Sequence, residues 1–307
     1  MAEARRLLVT GGSGFVGGAL ARVLSEPSAE RWQRIDLPAS VDLRDRDALT
    51  AHVAAARPDA VLHLAAQSAV PDSLRDPETT LQVNLIGTLH LLQALDAAGF
   101  RGRLIYVGTG DVYGRVPEPE LPVIEARAPQ PRNPYAVSKL AAEALCWQWH
   151  ASRGLDVVLA RPFNHIGPGQ SERFAISDFA RQLALIRAGA APPVLEVGDI
   201  DVTRDFTDVH DVVRAFLALL DHGAAGEVYN VCSGVERTLR SLLHQLLEIA
   251  GAEVRITEDA RRLRVNEQRR MCGSPAKIRA ATGWAAVTPI AVSLEAALQF
   301  WTGSISQ

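Results

Sequence analysis

Short apolar runs alternate with amphipathic segments along the first half of the chain. The runs with the length and composition of buried strands are Arg6–Thr10, Arg34–Leu37, Ala60–Ala65, Arg103–Val107 and Asp156–Arg161. Helical periodicity lies between them, over Phe15–Leu24, Asp45–Ala56, Val83–Ala98 and Pro134–Arg153. Strands that alternate with helices predict βαβ units, so we expect an α/β fold built on an open, doubly wound parallel sheet.

The pattern changes after the fifth apolar run. A Gly/Pro-rich loop, Asn164–Ser171, leads to predicted helices and short strands over Ala175–Ala188, Pro192–Asp208, Val209–Leu220 and Leu239–Ala250. We expect a smaller C-terminal substrate-binding lobe here, with segments that pass between the two halves. The predicted division gives residues 1–165 and about 202–235 to a dinucleotide-binding domain, and about 166–201 and 236–307 to the lobe.

Composition excludes several functions. The chain has 307 residues, 48% of them apolar and 22% charged, which is typical of a globular protein with a large core. A net charge of -3 without basic clusters predicts no nucleic-acid partner. Neither a membrane span nor a signal peptide is predicted, so we expect no membrane partner and a cytoplasmic location. The scattered cysteines, Cys146, Cys232 and Cys272, indicate buried reduced thiols rather than a metal site or disulfides.

Glycines stand at positions 11, 14 and 17, between the first predicted strand and the first predicted helix. Gly11 permits a tight turn, Gly14 lets the backbone approach a pyrophosphate, and Gly17 lets the helix pack closely on the strand. The start of the helix offers free N–H groups to phosphates. The loop therefore predicts a Rossmann-type dinucleotide site, whose contacts here are Gly11, Ser13, Gly14, Phe15, Val16 and Gly17.

The second predicted strand leaves the choice of coenzyme open. Asp36, at its end, could accept a hydrogen bond from the ribose 2′-hydroxyl and favour NADH. Arg34 could instead attract the 2′-phosphate of NADPH. The predicted cofactor is therefore NADPH or NADH.

The segment Asn133–Lys139 carries the predicted acid–base chemistry. Asparagine suits the N-cap and proline the first helical position, so Tyr135 and Lys139 lie one turn apart on a single helical face. A tyrosine with a pKa of about 10 is a poor acid–base group, and a nearby ammonium lowers that pKa. Thr109 follows the fourth strand, at the edge where ligands bind, and could orient a substrate oxygen beside Tyr135. These residues form the predicted catalytic set.

Together these motifs resemble the extended short-chain dehydrogenase/reductase family that acts on nucleotide sugars. Other runs share the resemblance, which covers nearly the whole chain: Val61–Ala66, Asn84–Thr88 and Asp111–Gly114. The resemblance implies that Asn84 supports the active-site geometry and that Asp42 and Leu43 contact adenine. It implies further cofactor contacts at Leu64, Ala65, Ala66, Tyr135, Lys139 and Pro162.

Within the family, several runs resemble the reductases of GDP-4-keto-6-deoxy-D-mannose, which make GDP-D-rhamnose: Arg161–Gln170, Leu195–Val209, Tyr229–Gly234 and Glu267–Arg270. This resemblance implies that Asn164 and Arg204 hold the diphosphate side of the substrate. It also implies that Arg279, with Arg269 or Arg270, contacts phosphate or ribose. A homodimer is expected for the family, and the helices at Val83–Ala98 and Leu140–Arg153 are candidates for its contact, although internal packing explains their apolar faces equally well.

The residues after Thr109 bear on the reaction type. Sugar-nucleotide 4,6-dehydratases place a carboxylate two positions after this threonine, often preceded by Asp or Ser. Gly110 has no polar side chain, and Asp111, also a predicted substrate contact, is one methylene shorter than the usual Glu. We therefore expect NAD(P)H-dependent reduction of a C4 ketone to GDP-D-rhamnose or its C4 epimer. The alternatives are a 4,6-dehydratase or 4-epimerase with tightly bound, recycled NAD(P), and, more remotely, a non-enzymatic dinucleotide-sensing protein.

Overall fold

A parallel sheet of six strands forms the centre of the computed structural model, which describes residues 4–29, 31–38, 40–262 and 268–305. In chain order the strands and helices are β1 (Arg5–Thr10), α1 (Phe15–Leu24), β2 (Trp32–Asp36), α2 (Arg46–Ala56), β3 (Ala60–His63), α3 (Val70–Arg75), α4 (Pro77–Leu81), α5 (Gly87–Ala97), β4 (Arg103–Val107), α6 (Pro134–Arg153), β5 (Asp156–Pro162), β6 (Asn164–Ile166), α7 (Ala175–Arg187), β7 (Val194–Val197), β8 (Thr203–Asp208), α8 (Val209–His222), β9 (Val228–Val231), β10 (Glu236–Thr238), α9 (Leu239–Ala250), β11 (Arg255–Glu258), α10 (Ala276–Thr282) and α11 (Ile290–Ile305).

The strand order places a ligand crevice at one edge of this sheet. The order is β2-β1-β3-β4-β5-β9, and every neighbouring pair is parallel. The chain runs from β1 outward to β2 and then returns to β3 on the other side, so the direction of winding reverses at β1. Ligands bind at such a reversal, outside the carboxyl ends of the strands. The predicted Rossmann-type, doubly wound parallel sheet is confirmed.

Helices cover both faces of the sheet, which explains why its strands are apolar at nearly every position. Leu7 packs on one face with Leu20 of α1 and Phe216 of α8. Leu8 packs on the other face with Leu92 of α5, in a cluster that also includes side chains of α2 and α6. Within the part of the chain described, no helix is long and apolar enough to cross a membrane.

The structure differs from the sequence prediction most clearly before β4. One helix was expected over Val83–Ala98, and a π-helical turn at Gln82–Ile86 followed by α5 lies there. The short helices α3 and α4, which precede this segment, were not predicted. The breaks have local causes. Asp76 ends α3 and caps α4, since its side chain accepts a hydrogen bond from Thr79 N at 3.0 Å, and a proline begins α4. The π-turn then shifts the helical register.

The C-terminal half builds two small sheets and a layer of helices. β8 pairs with β6 and β10, and β7 pairs with β11. α7, α9 and α11 pack together around Leu183, Leu243 and Leu294. The Asp208 carboxylate joins the two halves, because it accepts hydrogen bonds at 2.7 Å from His210 N in α8 and from Ser293 Oγ in α11.

Part of the predicted lobe packs on the large sheet instead. Ile278 of α10 and Trp284 lie in the same apolar cluster as Leu7 and Phe216. The Trp284 indole donates a hydrogen bond of 2.9 Å to the Asp211 carbonyl in α8. Residues 236–307 therefore contribute to both halves of the molecule.

The turn between β1 and α1 depends on close backbone contacts. Gly11 has φ +73°, and a Cβ there would lie 2.7 Å from Ala65 N. A Cβ at Gly17 would lie 2.2 Å from the Gly12 carbonyl oxygen, whereas one at Gly18 would meet nothing within 4 Å. Position 17 therefore has no room for a side chain, whereas position 18, the next residue of α1, does.

We expect Gly17→Ala to destabilise the fold by about 1–3 kcal/mol, because the new methyl group overlaps backbone that has no room to move. Gly18→Ala is the matched control, and it should stabilise α1 by about 0.5–1 kcal/mol by lowering the conformational freedom of the unfolded chain. Equilibrium urea unfolding of both variants measures the difference. Equal effects of the two substitutions would contradict this account of the turn.

Candidate active site

The N-terminal turn of α6 positions Tyr135 and Lys139. The Asn133 side chain caps the helix and accepts a hydrogen bond from Ala136 N at 2.7 Å, as predicted. The helical repeat then carries Lys139 to a buried position at the edge of the sheet. Its Nζ lies 4.8 Å from the centre of the Tyr106 ring, and the Tyr106 hydroxyl donates to the Lys139 carbonyl at 3.0 Å.

Thr109 meets Tyr135 at the carboxyl end of β4. The buried Thr109 side chain lies near the Tyr135 hydroxyl, close enough to lower the pKa of Tyr135. It also accepts a hydrogen bond from Asp111 N at 3.2 Å, which caps a short 3₁₀ turn over Gly110–Tyr113. The structure therefore brings together Thr109 and Tyr135, which the sequence placed 26 positions apart along the chain, and Lys139 lies one turn further along the same helix.

The protonation of this group differs from the sequence-based expectation. The pKa of Tyr135 is raised, not lowered, because burial disfavours the phenolate and the Asp111 carboxylate repels it, while the Thr109 hydrogen bond opposes both effects only in part. Burial also lowers the pKa of Lys139 to about 8, although the nearby Glu143 carboxylate favours the ammonium. At neutral pH Tyr135 therefore holds its proton, as an acid that protonates a forming alkoxide must.

A buried polar network holds α6 in this position. Asn84, in the π-turn before α5, donates a hydrogen bond to Ser138 Oγ at 2.9 Å. Its carbonyl oxygen accepts from Gln67 N at 2.8 Å, and Ser138 Oγ donates to the Tyr135 carbonyl at 2.7 Å. Asn84 thus connects the loop after β3 to the first turns of α6, which carry Tyr135 and Lys139.

The residues of the glycine loop fit a dinucleotide. No side chain caps the N-terminus of α1, and Ser13 and Gly14 are exposed, so the first N–H groups of the helix can meet phosphate oxygens. A Cβ at Gly11 would overlap the loop after β3, so that loop lies directly against the glycines. Phe15 stacks on His165 of β6 with ring centres 5.7 Å apart. The start of α1 therefore contacts β6, the strand that also carries Asn164.

The other predicted cofactor residues lie in several loops and strand ends. Leu64, Ala65 and Ala66 are partly exposed in the loop after β3, and Pro162 is buried at the end of β5. Asp42 pairs with Arg44, which lowers the pKa of Asp42 to about 2. Leu43 is buried, with its carbonyl 3.0 Å from His90 Nδ1.

The predicted substrate residues lie in different places. Asn164 is exposed on β6, and Arg204 lies on the paired strand β8, where it donates to the Thr203 carbonyl at 2.7 Å. Arg269 pairs with Asp199 at the surface, and Arg270 pairs with Glu236 at 2.7 Å and Glu118 at 2.9 Å. Arg279 is exposed on α10, which packs on α8 and β9. Glu267, part of the family-like run, lies outside the described residues.

A cavity of about 280 Å³ contains arginines that sequence reasoning did not connect. Arg269 and Arg270 line it together with Arg115 and Arg132, and Arg132 stands three residues before Tyr135. The cavity thus places several guanidinium groups near the catalytic helix, and Arg279 is not among its lining residues. The sequence did not predict this cavity, because an arginine in a loop belongs to no local pattern that would indicate a binding site.

Sequence reasoning also missed a buried ion pair below the site. Arg161 of β5 meets Glu143 of α6 through Nε–Oε2 at 2.9 Å and Nη2–Oε1 at 2.5 Å, and both side chains are almost fully buried. The guanidinium also lies 4.9 Å from the centre of the Tyr113 ring. Glu143 is one helical turn beyond Lys139, so the pair fixes α6 against the sheet beside the catalytic lysine. In the sequence, this ion pair was indicated by Arg161, a charged residue at the end of an otherwise apolar strand.

Comparisons with known proteins agree with this geometry. The model of the NAD dependent epimerase/dehydratase family matches residues 7–232. GDP-6-deoxy-D-mannose reductase of Pseudomonas aeruginosa is 51% identical over 303 residues, which cover 99% of each chain. The chain belongs to the NAD dependent epimerase/dehydratase family. More distant members include a dTDP-glucose 4,6-dehydratase of Streptomyces niveus, which is 32% identical over 80% of this chain and 78% of its own length.

Solved structures of the family superpose on nearly the whole chain. RMD from Pseudomonas aeruginosa, complexed with NADPH, has a TM-score of 0.91 at 50% identity and covers 98% of this chain and 100% of its own. A UDP-glucose 4-epimerase of Thermus thermophilus in complex with NAD has a TM-score of 0.85 at 30% identity, and covers 97% of this chain and 99% of its own. Reductases, dehydratases and epimerases thus share this fold, so the site has to distinguish among them.

The lowered pKa of Lys139 makes stability depend on pH. Between a pKa of about 8 in the folded protein and the ordinary lysine pKa of 10.5 in the unfolded chain, the unfolded chain binds the Lys139 proton and the folded chain does not, so stability rises with pH. The wild type should therefore gain about 2 kcal/mol relative to Lys139→Met between pH 7.5 and 9.5. Urea unfolding without added coenzyme measures the gain. Lys277→Met, at the surface, is the control, and a Lys139→Met difference that stays constant with pH would refute the shift.

Proposed function

We propose that the protein reduces the C4 ketone of GDP-4-keto-6-deoxy-D-mannose to GDP-D-rhamnose, with NADPH or NADH as the coenzyme. The observation that carries the proposal is geometric: the capped start of α6 holds Tyr135 one turn before the buried Lys139 and near Thr109, at the carboxyl end of β4. The near-complete match to a GDP-6-deoxy-D-mannose reductase supports the choice of substrate.

In this mechanism the substrate carbonyl takes a place beside Thr109 and Tyr135. When bound, the reduced coenzyme supplies the hydride. Tyr135 gives its proton to the developing alkoxide, and its raised pKa keeps that proton available up to alkaline pH. Thr109 orients the carbonyl, and the Lys139 side chain is placed to bind ribose hydroxyls and to stabilise the phenolate once the proton has left. Asn164, Arg204 and Arg269 are proposed to hold the diphosphate side of the substrate, with Arg279 as a further phosphate or ribose contact.

The packing around Gly110 favours reduction over elimination. A Cβ at Gly110 would lie 3.0 Å from two ring atoms of Phe163. That ring is also enclosed on other sides, since a Cβ at Gly273 would lie 2.6 Å from its tip and Tyr113 packs at 6.3 Å between ring centres. A side chain at the position that carries Asp or Ser in dehydratases would therefore have to displace this ring, and without one Asp111 alone is left to act as a base.

The alternatives within the family differ in how they use the coenzyme. A 4,6-dehydratase or a 4-epimerase recycles it and needs none added, whereas a reductase consumes one reduced coenzyme for each product. Incubation with GDP-4-keto-6-deoxy-D-mannose, GDP-mannose or UDP-glucose, with and without NAD(P)H, separates these reactions when the products are identified by NMR. Turnover of GDP-mannose or UDP-glucose without added coenzyme would exclude the proposed reaction.

The tyrosine test uses two variants of equal size. Tyr135→Phe should lower kcat for ketone reduction by about 10²–10⁴-fold, because only the proton donor is lost. Tyr229→Phe is the control, since its hydroxyl contacts Ala224 N at 3.0 Å, near the end of α8, and should leave kcat within about twofold. Steady-state loss of NAD(P)H absorbance measures both. Near-normal kcat in Tyr135→Phe would remove the assigned acid.

A cytoplasmic homodimer is also part of the proposal. Large apolar side chains are exposed on α3 and α6, where Leu74 is 63%, Val137 43% and Trp147 53% exposed. Exposed apolar patches of this kind favour a protein contact. α6 is also one of the helices that the sequence suggested for a shared helical contact.

Trp147→Glu should convert a dimer into a monomer, because it places a charge in the proposed contact. Sedimentation velocity at micromolar concentration measures the change, with Phe300→Glu on α11, which is 37% exposed, as the control. A wild type that sediments as a monomer would exclude the dimer. A Trp147→Glu dimer would exclude this contact surface.

A further inference from the structure

An arginine–aspartate pair occupies the end of β2, beside the glycine loop. Arg34 Nε lies 2.9 Å from Asp36 Oδ1 and 3.0 Å from Oδ2, and Nη2 lies 2.8 Å from Oδ1. The carboxylate also lies against the loop, since a Cβ at Gly12 would be 1.9 Å from Asp36 Oδ1. Asp36 is thus held at one position by the side chain that the sequence suggested as its rival for the coenzyme.

The same arginine is fixed on its other edge. Nη1 donates to the Gly17 carbonyl at 2.7 Å, and Nη2 donates to the Gly12 carbonyl at 2.8 Å. Three of the five N–H groups that a guanidinium offers thus donate to Asp36 and the glycine-loop carbonyls, and Nη2 also lies 2.8 Å from Asp36 Oδ1. Arg34 would have to leave these carbonyls to bind a phosphate, and the turn would lose its support.

The exposed fractions of the two side chains also favour a ligand contact with Asp36 rather than with Arg34. Arg34 is 19% exposed and Asp36 is 47% exposed. The surface that a ligand meets at the end of β2 is therefore mainly carboxylate, with lone pairs free to accept hydrogen bonds from hydroxyl groups. A phosphate group at this position would meet that carboxylate at close range.

The nearest basic side chain that follows in the sequence is also paired. Arg44 contacts Asp42 through Nε at 3.0 Å and Nη2 at 2.6 Å. The loop after β2 therefore offers a second carboxylate beside this cation, and Ala39 in the same loop lies outside the described residues. Neither arginine is presented as an open phosphate clamp.

We infer that this protein prefers NADH to NADPH, with Asp36 as the specificity-determining residue and Arg34 as the residue that positions it. The 2′-hydroxyl of NADH donates to Asp36, whereas the 2′-phosphate of NADPH is repelled by it. The inference rests on the proposed function only in requiring a nicotinamide coenzyme. It separates this chain from RMD of Pseudomonas aeruginosa, whose solved structure contains NADPH.

Equilibrium binding tests the inference without turnover. Titration of the wild-type protein with NADH and with NADPH, followed by the fluorescence of the reduced nicotinamide, gives a Kd for each. We expect the Kd of NADH to be at least about tenfold lower, which corresponds to one charge-assisted contact. An equal or lower Kd for NADPH would overturn the inference and leave the proposed function intact. Failure to bind either coenzyme would overturn both.

Asp36→Asn should shift the ratio of the two Kd values toward NADPH by about tenfold or more, because the repulsive charge is gone and Arg34 loses one partner. Asp96→Asn is the matched control, since Asp96 is also 47% exposed and pairs with Arg153, between α5 and α6. Its ratio should equal that of the wild type. If Asp36→Asn unfolds at a lower temperature, Asp36→Ser provides the same comparison, and the wild-type ratio stands independently of both. An unchanged ratio in a folded Asp36 variant would assign the preference to other residues.

Discussion

The burial of one ammonium group constrains the whole catalytic edge of the sheet. Lys139 lies among groups that must tolerate its charge, and each adjusts to it in a different way. His63 stays neutral, because burial and then the nearby Lys139 charge lower its pKa to about 3. The Tyr106 ring presents its face to the ammonium. Glu143 contributes a negative charge on the same helix while Arg161 holds it in place. Removing one member of such a network leaves the others with uncompensated charge.

Coupling between the two halves of the molecule follows from a few polar and aromatic contacts. Asp205 accepts hydrogen bonds from Ser233 N at 2.8 Å, Gly234 N at 2.9 Å and Gly273 N at 3.3 Å, so one buried carboxylate holds two loops together. Phe15, at the start of α1, stacks on His165 of β6. The glycine loop and the strand that carries Asn164 therefore share a direct contact.

The sequence predicted the parts of the structure that local physics determines. The bounds of α1, β4, α6 and α9 agree with the prediction because each combines a strong apolar period with a clear start or stop signal. In the segment before β4, the predicted helix corresponds to the π-turn and α5, whereas α3 and α4 were missed because each spans only five or six residues and shows no clear helical period. The short strand β9 escaped notice because Val228–Val231 resembles a loop-to-helix transition unless β5 is known to lie beside it.

In the candidate site too, the sequence predicted what depends on local spacing and missed what depends on tertiary contacts. Tyr135, Lys139 and Thr109 were predictable because their spacing alone aligns them with a strand end and a helical face. The raised pKa of Tyr135 was not, because it depends on burial and on the Asp111 carboxylate, which only tertiary structure brings near. The arginines of the 280 Å³ cavity come from loops far apart in the chain, and no local pattern unites them.

The tight fit of Phe163 over Gly110 has an evolutionary consequence. A side chain at position 110 requires the ring to shift, and the space that a Cβ at Gly273 would need is taken up by the tip of the same ring. We expect changes at these positions to be epistatic, since the effect of one depends on whether the other has already occurred. A smaller residue at position 163 would make a side chain at position 110 less costly, which favours one order of substitution over the other.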